Sequence, residues 1–220
     1  MSGVAITIDG RSFTPQRIFC IGKNYDEHIK ELGGQTPEEP VVFMKPVSSI
    51  VAPGEALRMP RHGKILHHEV EVVLLIGKEG QDISEANALS YVAGVTVGLD
   101  LTLRDVQGRL KKAGLPWELS KSFEQSAPLG NFKPYDADVI NLENFPFTCS
   151  VNGGLRQQGN TCDMLFPVKS LIYTLSRWWT LQPGDIIYTG TPSGVGPLEG
   201  GDQVEIESPV IGSFSWALSP

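Results

Sequence analysis

Cysteine is scarce and scattered: the 220 residues contain three, Cys20, Cys149 and Cys162, with no CxxC pair among them. An odd, widely spaced set excludes a disulfide framework and the paired-thiol zinc and redox motifs. Such usage fits a reducing compartment. Long apolar runs are missing as well. A membrane-spanning helix needs about 18 or more apolar residues in a row, and the longest run here, residues 72–76, has five. The first twenty residues alternate and carry charge, so no secretory leader is expected. Positive charge is in deficit: 18 Lys and Arg against 25 Asp and Glu leave a net −7. A general grip on phosphates needs a basic face, and Lys111 with Lys112 is too short a cluster to make one. Neither a Gly-x-Gly-x-x-Gly fingerprint nor a Gly-x-x-x-x-Gly-Lys loop occurs, which excludes the common nucleotide cradles. The expectation is a cytoplasmic protein with neither nucleic acid nor membrane as partner.

Glycine and proline are plentiful, 24 and 16 residues. They punctuate short apolar runs, which predicts many strands and turns. Strands are expected at 4–8, 17–21, 40–45, 67–76, 94–101, 186–189, 203–208 and 213–218. Asn152-Gly153 predicts a hairpin between 148–152 and 154–158. Helices are expected at 24–32, stopped by Gly33, at 82–91, at 103–113 with Gly114 beyond its end, and at 167–180 behind Pro167. Strands and helices do not alternate regularly, so the fold class is mostly β with short helices (α+β) and not a doubly wound parallel sheet.

Several side chains carry chemistry. In His67-His68-Glu69-Val70-Glu71, residues i and i+2 of a strand share a face, so Glu69 and Glu71 point together, about 7 Å apart. Their mutual repulsion and dehydration are relieved by a divalent cation of the hard, oxygen-seeking kind; the competing reading is an exposed edge with two ordinary glutamates. Asp100 ends an apolar, glycine-spaced run. It suits a third ligand, or else it caps the helix that follows. Arg104 and Gln107, three apart on that helix, either grip a substrate carboxylate or face solvent. His28 and Glu31, also three apart, form an imidazole–carboxylate pair suited to a general base, or belong to an ordinary charged helix. Lys121 lies in an apolar stretch and suits an anionic oxygen, though most lysines are merely exposed. The Gly-rich loop from Gly190 and Thr191 to Gly196 offers backbone N–H groups to an anion, or is a plain turn. His62, His67 and His68 lack usual zinc spacing. The four tryptophans suit core or interface.

Taken in order and spacing, Gly22-Lys23-Asn24-Tyr25 with His28 and Glu31, Val42-Phe43-Met44-Lys45-Pro46, His67-His68-Glu69-Val70-Glu71, Leu99-Asp100-Leu101-Thr102 with Arg104-Asp105-Val106-Gln107, Gly114-Leu115-Pro116-Trp117 with Lys121-Ser122-Phe123, Val151-Asn152-Gly153 and Gly184-Asp185-Ile186-Ile187-Tyr188-Thr189-Gly190-Thr191-Pro192 resemble the fumarylacetoacetate hydrolase family. The likeness is greatest to its short branch, which includes acylpyruvase and oxaloacetate decarboxylase. The resemblance implies a mixed β-sandwich roll or distorted barrel and a homodimer. It implies one catalytic domain over 1–220, with an N-terminal strand extension at 1–16 and a core at 17–210. It further implies Mg²⁺ or Mn²⁺ on Glu69, Glu71 and Asp100, a lid segment bearing His28 and Glu31, and catalysis by His28, Glu31 and Lys121. Substrate contacts fall to Tyr25, Arg104, Gln107, Gly190 and Thr191. The expected substrate is a small 2-oxo acid. The expected reaction is C–C hydrolysis of 3-acylpyruvates to pyruvate and a carboxylate through a metal-held enolate. Oxaloacetate decarboxylation or keto–enol tautomerisation would share that enolate. An isomerase or hydratase of aromatic-ring degradation, or a non-catalytic metal–carboxylate binder, are the remaining readings.

Overall fold

The computed structural model describes residues 5–220, so the expected strand at 4–8 lies partly outside the described residues. Its visible part is β1 (Ile6–Ile8), paired with β2 (Arg11–Phe13). Between them Asp9 and Gly10 take φ of 46° and 75°, the left-handed pair that a two-residue type I′ turn requires. The chain continues through β3 (Ile18–Gly22), α1 (Asp26–Glu31), β4 (Val41–Lys45), β5 (Ile50–Val51), β6 (Leu66–His68) and β7 (Val70–Ile76). Then come α2 (Glu85–Ala88), β8 (Val92–Leu99), β9 (Thr102–Leu103), α3 (Arg104–Ala113) and α4 (Glu118–Lys121). The last stretch is β10 (Ala127–Pro128), β11 (Lys133–Pro134), β12 (Pro146–Val151), β13 (Gly154–Asn160), α5 (Val168–Trp178), β14 (Ile186–Tyr188), β15 (Gly196–Leu198), β16 (Gln203–Ser208) and β17 (Gly212–Ala217).

The central sheet runs β11-β8-β7-β14-β3-β4 and is antiparallel except between β14 and β3. A second, wholly antiparallel sheet runs β13-β12-β16-β17, and a small one runs β15-β6-β9. All are open, giving the mostly β fold expected from the sequence pattern and the mixed β roll that the family resemblance implies. β7 explains the arrangement. Its sequence, Val-Glu-Val-Val-Leu-Leu-Ile, suits a strand buried on both faces, and every residue of it is buried. Val70, Val72, Leu74 and Ile76 join one core, with Phe147, Val204, Ile206 and Trp216 of the second sheet and Leu171, Ile172 and Leu175 of α5. Val73 and Leu75 join the opposite core, with Cys20, Tyr188, Ile6, Ile8 and Leu129. Each such side chain contributes about 1.5–3 kcal/mol on leaving water.

Three expectations need correction. The strand expected at 67–76 is broken at Glu69, because β6 pairs with β15 and β9 whereas β7 pairs with β8 and β14. Glu69 stands where the chain crosses from one ladder to the other. The helix expected at 82–91 shrinks to α2 and a 3-10 turn, with Ser84 at its cap and Asp82 outside it at φ 50°. Asp100 does not cap α3; Leu103 occupies that position.

Glu71 faces Gly98 across the β7–β8 ladder. A Cβ on Gly98 would lie 2.9 Å from both the Pro128 carbonyl and the Tyr188 hydroxyl. Gly98→Ala is therefore expected to cost about 1–3 kcal/mol through overpacking, read as a lower denaturant midpoint; an unchanged midpoint would show that Tyr188 yields freely.

Candidate active site

β7 and β8 are antiparallel neighbours, with Val70 opposite Leu99. Glu69 and Asp100 therefore lie side by side just off the ends of the two strands, joined by the Asp100 N–H donating to the Glu69 carbonyl at 2.8 Å. Glu71 lies one strand position in. All three carboxylates are buried, and an oxygen from each lies within 4.8 Å of the others. The exposed-edge reading of Glu69 and Glu71 is thus excluded by their burial.

Cations answer two of the three. Lys121 Nζ donates to Glu69 Oε2 at 2.7 Å and to Asp100 Oδ2 at 2.6 Å. Arg104 donates to Glu69 Oε1 and, at 2.6 Å, to Gln107 Oε1. Lys45 Nζ stands 2.8 Å from Asp100 Oδ1 as an ion pair and also donates to the carbonyls of Leu101 and Lys121. Among the described residues Asp100 Oδ1 has no donor beyond that ion pair. Burial pushes the Glu69 carboxyl upward, yet Lys121 and Arg104 outweigh it and hold it well below the usual range. Burial also works against charge on Lys121, and Asp100 and Glu69 reverse that, raising its pKa. Among the described residues Glu71 has no cation within ion-pair distance; its contact is the Gly190 N–H at 2.7 Å. Burial, reinforced by the Asp100 charge, pushes its carboxyl well above the ordinary range.

This donor set fits a hard divalent cation. It consists of oxygen donors only, and among the described residues one ligand has no cation in direct contact and one oxygen has no hydrogen-bond donor beyond its ion pair. Carboxylate oxygens have further lone pairs beyond those the lysine and arginine use. Among the described residues these three carboxylates are the one cluster of metal-ligating side chains. The histidines considered for zinc diverge instead. His62 bonds the Leu119 carbonyl, His67 Nδ1 meets Arg104 Nε at 3.4 Å, and His68 Nδ1 meets Gln157.

α1 covers the carboxylates. His28 on it is buried, and its Nδ1 lies 3.2 Å from Glu31 Oε2. Glu31 Oε1 accepts from the Gly194 N–H at 3.0 Å, tying α1 to the loop after β14. Burial lowers the His28 pKa, so the imidazole is neutral near pH 7. With Nδ1–H donating to Glu31, Nε2 is left as the proton acceptor. His28, Glu69, Arg104, Gln107 and Lys121 share one pocket of about 30 Å³, room for one or two waters. Tyr25, Gly190 and Thr191 do not line that pocket. The Tyr25 hydroxyl is buried without a partner among the described residues, and Gly190 acts through its N–H on Glu71.

Sequence reasoning passed over four residues here. Lys45 stands out in hindsight as a charge ending the apolar run of β4. Lys111, in sequence only half of a short basic cluster with Lys112, lines the pocket beside Trp117, where burial and the charge of Arg104 lower its pKa to about 8. Asn24 is fully buried and binds the Thr189 carbonyl at 2.8 Å and the Phe166 backbone through both amide atoms. Gln157 is treated below. None of these four is marked by spacing.

Fold and site define a class: an open β roll that gathers carboxylates at a strand end beneath a histidine–glutamate helix. The chain belongs to the fumarylacetoacetate (FAA) hydrolase C-terminal family, whose signature spans residues 17–217. It is 45% identical over 190 residues to oxaloacetate tautomerase YcgM of Escherichia coli (strain K12), covering 86% of this chain and 87% of that one. It is 43% identical over 193 residues to the mitochondrial oxaloacetate decarboxylase of Dictyostelium discoideum, covering 87% and 88%. The crystal structure of fumarylpyruvate hydrolase from Pseudomonas aeruginosa in complex with Mn²⁺ and pyruvate superposes with a TM-score of 0.93 at 35% identity, covering 100% of this chain and 97% of that one.

Addition of Mn²⁺ or Mg²⁺ is expected to raise the thermal midpoint, by the equivalent of about 2.7 kcal/mol at a hundredfold excess over Kd. Glu71→Gln is expected to abolish that response. A variant that keeps the full shift would remove Glu71 from the cation's ligands.

Proposed function

We propose that this protein is a divalent-cation-dependent enzyme of small 2-oxo acids that hydrolyses the C3–C4 bond of 3-acylpyruvates, releasing pyruvate and a carboxylate. The observation that supports this most directly is the shared pocket: a neutral imidazole, the cationic side chains of Arg104 and Lys121 with those of Lys23 and Lys111, and one carboxylate of the cage meet in it. Glu69, Glu71 and Asp100 would hold the cation, Mg²⁺ or Mn²⁺, which when bound supplies Lewis-acid stabilisation of negative charge on substrate oxygen.

The rest is the work of the chain itself. Arg104, Lys121 and Gln107 grip the carboxylate end of the substrate, with Tyr25, Gly190 and Thr191 at its flanks. His28 Nε2 takes a proton from water, while Glu31 fixes the ring through Nδ1 and steadies the imidazolium that forms. The hydroxide adds to the distal carbonyl. The C3–C4 bond then breaks, its electron pair stays with the pyruvate fragment as the enolate, and that fragment takes up a proton. At about 30 Å³ the pocket is too small for a 2-oxo acid. The α1 segment therefore swings aside to admit substrate and closes again, with Lys23 at φ 60° and Gly33 at φ 63° as its hinges. The whole described chain serves one such site, in a homodimer.

A second reading, oxaloacetate decarboxylation or keto–enol tautomerisation, is favoured by the surplus of cations. Lys23 and Lys111 line the pocket beside Arg104 and Lys121, more positive charge than a single carboxylate requires. The oxaloacetate-acting relatives named above point the same way. Loss of CO₂ needs no water, and tautomerisation needs only a proton moved between C3 and oxygen.

With Mg²⁺ present, pyruvate release from acetylpyruvate or fumarylpyruvate is expected, abolished by EDTA. His28→Ala should remove it by at least about 10²-fold, the usual share of a general base, while cation binding by calorimetry is unchanged. Lost cation affinity in that variant would reject the base assignment. Decay of the oxaloacetate enol absorbance without pyruvate release would establish tautomerisation instead, and EDTA-sensitive pyruvate release from oxaloacetate would establish decarboxylation.

A further inference from the structure

Gln157 is almost fully buried, and its four hydrogen-bonding positions are all used. Its Oε1 accepts from the Val70 N–H at 3.1 Å and from His68 Nδ1 at 2.9 Å. Its Nε2 donates to the Pro192 carbonyl at 2.9 Å and to Thr191 Oγ1 at 2.8 Å. The two ends of an amide are often interchangeable, but here they are not. A backbone N–H only donates and a carbonyl only accepts, so Val70 and Pro192 fix the amide's orientation. Two consequences follow. His68 Nδ1 carries a hydrogen, because Oε1 can only accept. Thr191 Oγ1 receives a hydrogen from Gln157, so its own hydroxyl hydrogen points elsewhere, and among the described residues nothing accepts it.

The strand carrying Gln157 is shaped to present it. Cys149 pairs with Gln157 but Ser150 pairs with Leu155, leaving Arg156 as the extra residue of a β-bulge. The bulge shifts the alternation, so that Leu155 and Arg156 are both exposed while Gln157 turns inward. The Thr191 loop seats on the same strand. A Cβ on Gly194 would meet the Arg156 carbonyl at 2.2 Å, and one on Gly159 would meet Pro192 at 2.8 Å.

We propose that Gln157 is a positioning residue: it turns the Thr191 hydroxyl hydrogen toward an anionic oxygen of the ligand, and in the same grip it holds the Glu69–Val70 peptide through the Val70 N–H. This rests on the reading of Thr191 as a substrate contact. It makes the hydroxyl a donor, which favours a ligand offering a bare acceptor, a carboxylate or enolate oxygen, over one offering a hydroxyl hydrogen.

The test measures pyruvate affinity by calorimetry on the full chain at saturating Mn²⁺, with Mn²⁺ affinity measured separately. Thr191→Ser should keep pyruvate binding, and Thr191→Val should weaken it roughly tenfold, as for loss of one hydrogen bond to a charged group. Gln157→Glu preserves the acceptor for Val70 but draws the Thr191 hydrogen back to itself. It should weaken binding as much as Thr191→Val, and the double variant should be no weaker than either. Unchanged affinity in Gln157→Glu, or losses that multiply in the double variant, would overturn the proposal. Should Gln157→Glu fail to fold, ¹⁵N NMR of His68 in the wild type decides the amide's orientation: the Nδ1–H tautomer is expected, and a bare Nδ1 overturns it. Failure of the wild type to bind pyruvate at all would instead reject the 2-oxo acid reading, and with it the ligand half of this proposal, leaving the tautomer result to stand alone.

Discussion

Three carboxylates held out of water at one corner of a sheet set the terms for everything around them. Two like charges 4 Å apart repel by about 4 kcal/mol at an effective dielectric of 20, and burial removes the water that would otherwise screen them. Lys45 from β4, Arg104 from α3 and Lys121 from α4 converge on Glu69 and Asp100, so the chain must bring three distant elements to one point. Lys45 binds that convergence together, because its ammonium also holds the carbonyls of Leu101 and Lys121. Glu71 is left to a single backbone N–H, and that imbalance is the physical argument for a cation.

The sheet makes this arrangement affordable by separating duties between its faces. On one face the even positions of β7 bury hydrocarbon against the second sheet. On the other, Glu71 precedes Val73 and Leu75, and Gly98 keeps the facing position of β8 empty of side chain. The covering helix obeys a different rule. Six residues do not form a stable helix alone, so α1 depends on the packing of Ile29 and on the Glu31–Gly194 contact. On the proposed reading, a segment so held is suited to opening and closing over the carboxylates.

Much of this was legible in the sequence, and the reason differs by residue. Glu69, Glu71 and Asp100 are legible as candidates, beside an exposed-edge and a capping reading, because strand alternation and a strand's end are local properties. The Asn152-Gly153 hairpin is likewise a local matter, and the turn forms with φ of 52° and 76°. Lys45, Asn24 and Gln157 were not legible, because their partners lie 76, 165 and 87 positions away. Only the fold gives those residues their meaning. The break at Glu69 was hidden for a related reason: the chain changes ladders there with no glycine or proline to mark it, so 67–76 reads as one strand.

On the proposed reading, the same groups serve every reaction that passes through a pyruvate-like enolate, since each needs a gripped carboxylate and a stabilised oxygen. What separates hydrolysis from loss of CO₂ is whether a water is held beside His28 Nε2 when the bond breaks. That depends less on the cage than on what fills the far side of the pocket, where Leu32, Phe43 and Trp117 stand among Lys23 and Lys111. An uncharged acyl group would rest on the apolar walls and leave a water beside the imidazole. A second carboxylate would be drawn to the lysines and exclude it. Substrate choice and reaction type are then one decision, made by the walls of the pocket and not by its catalytic floor.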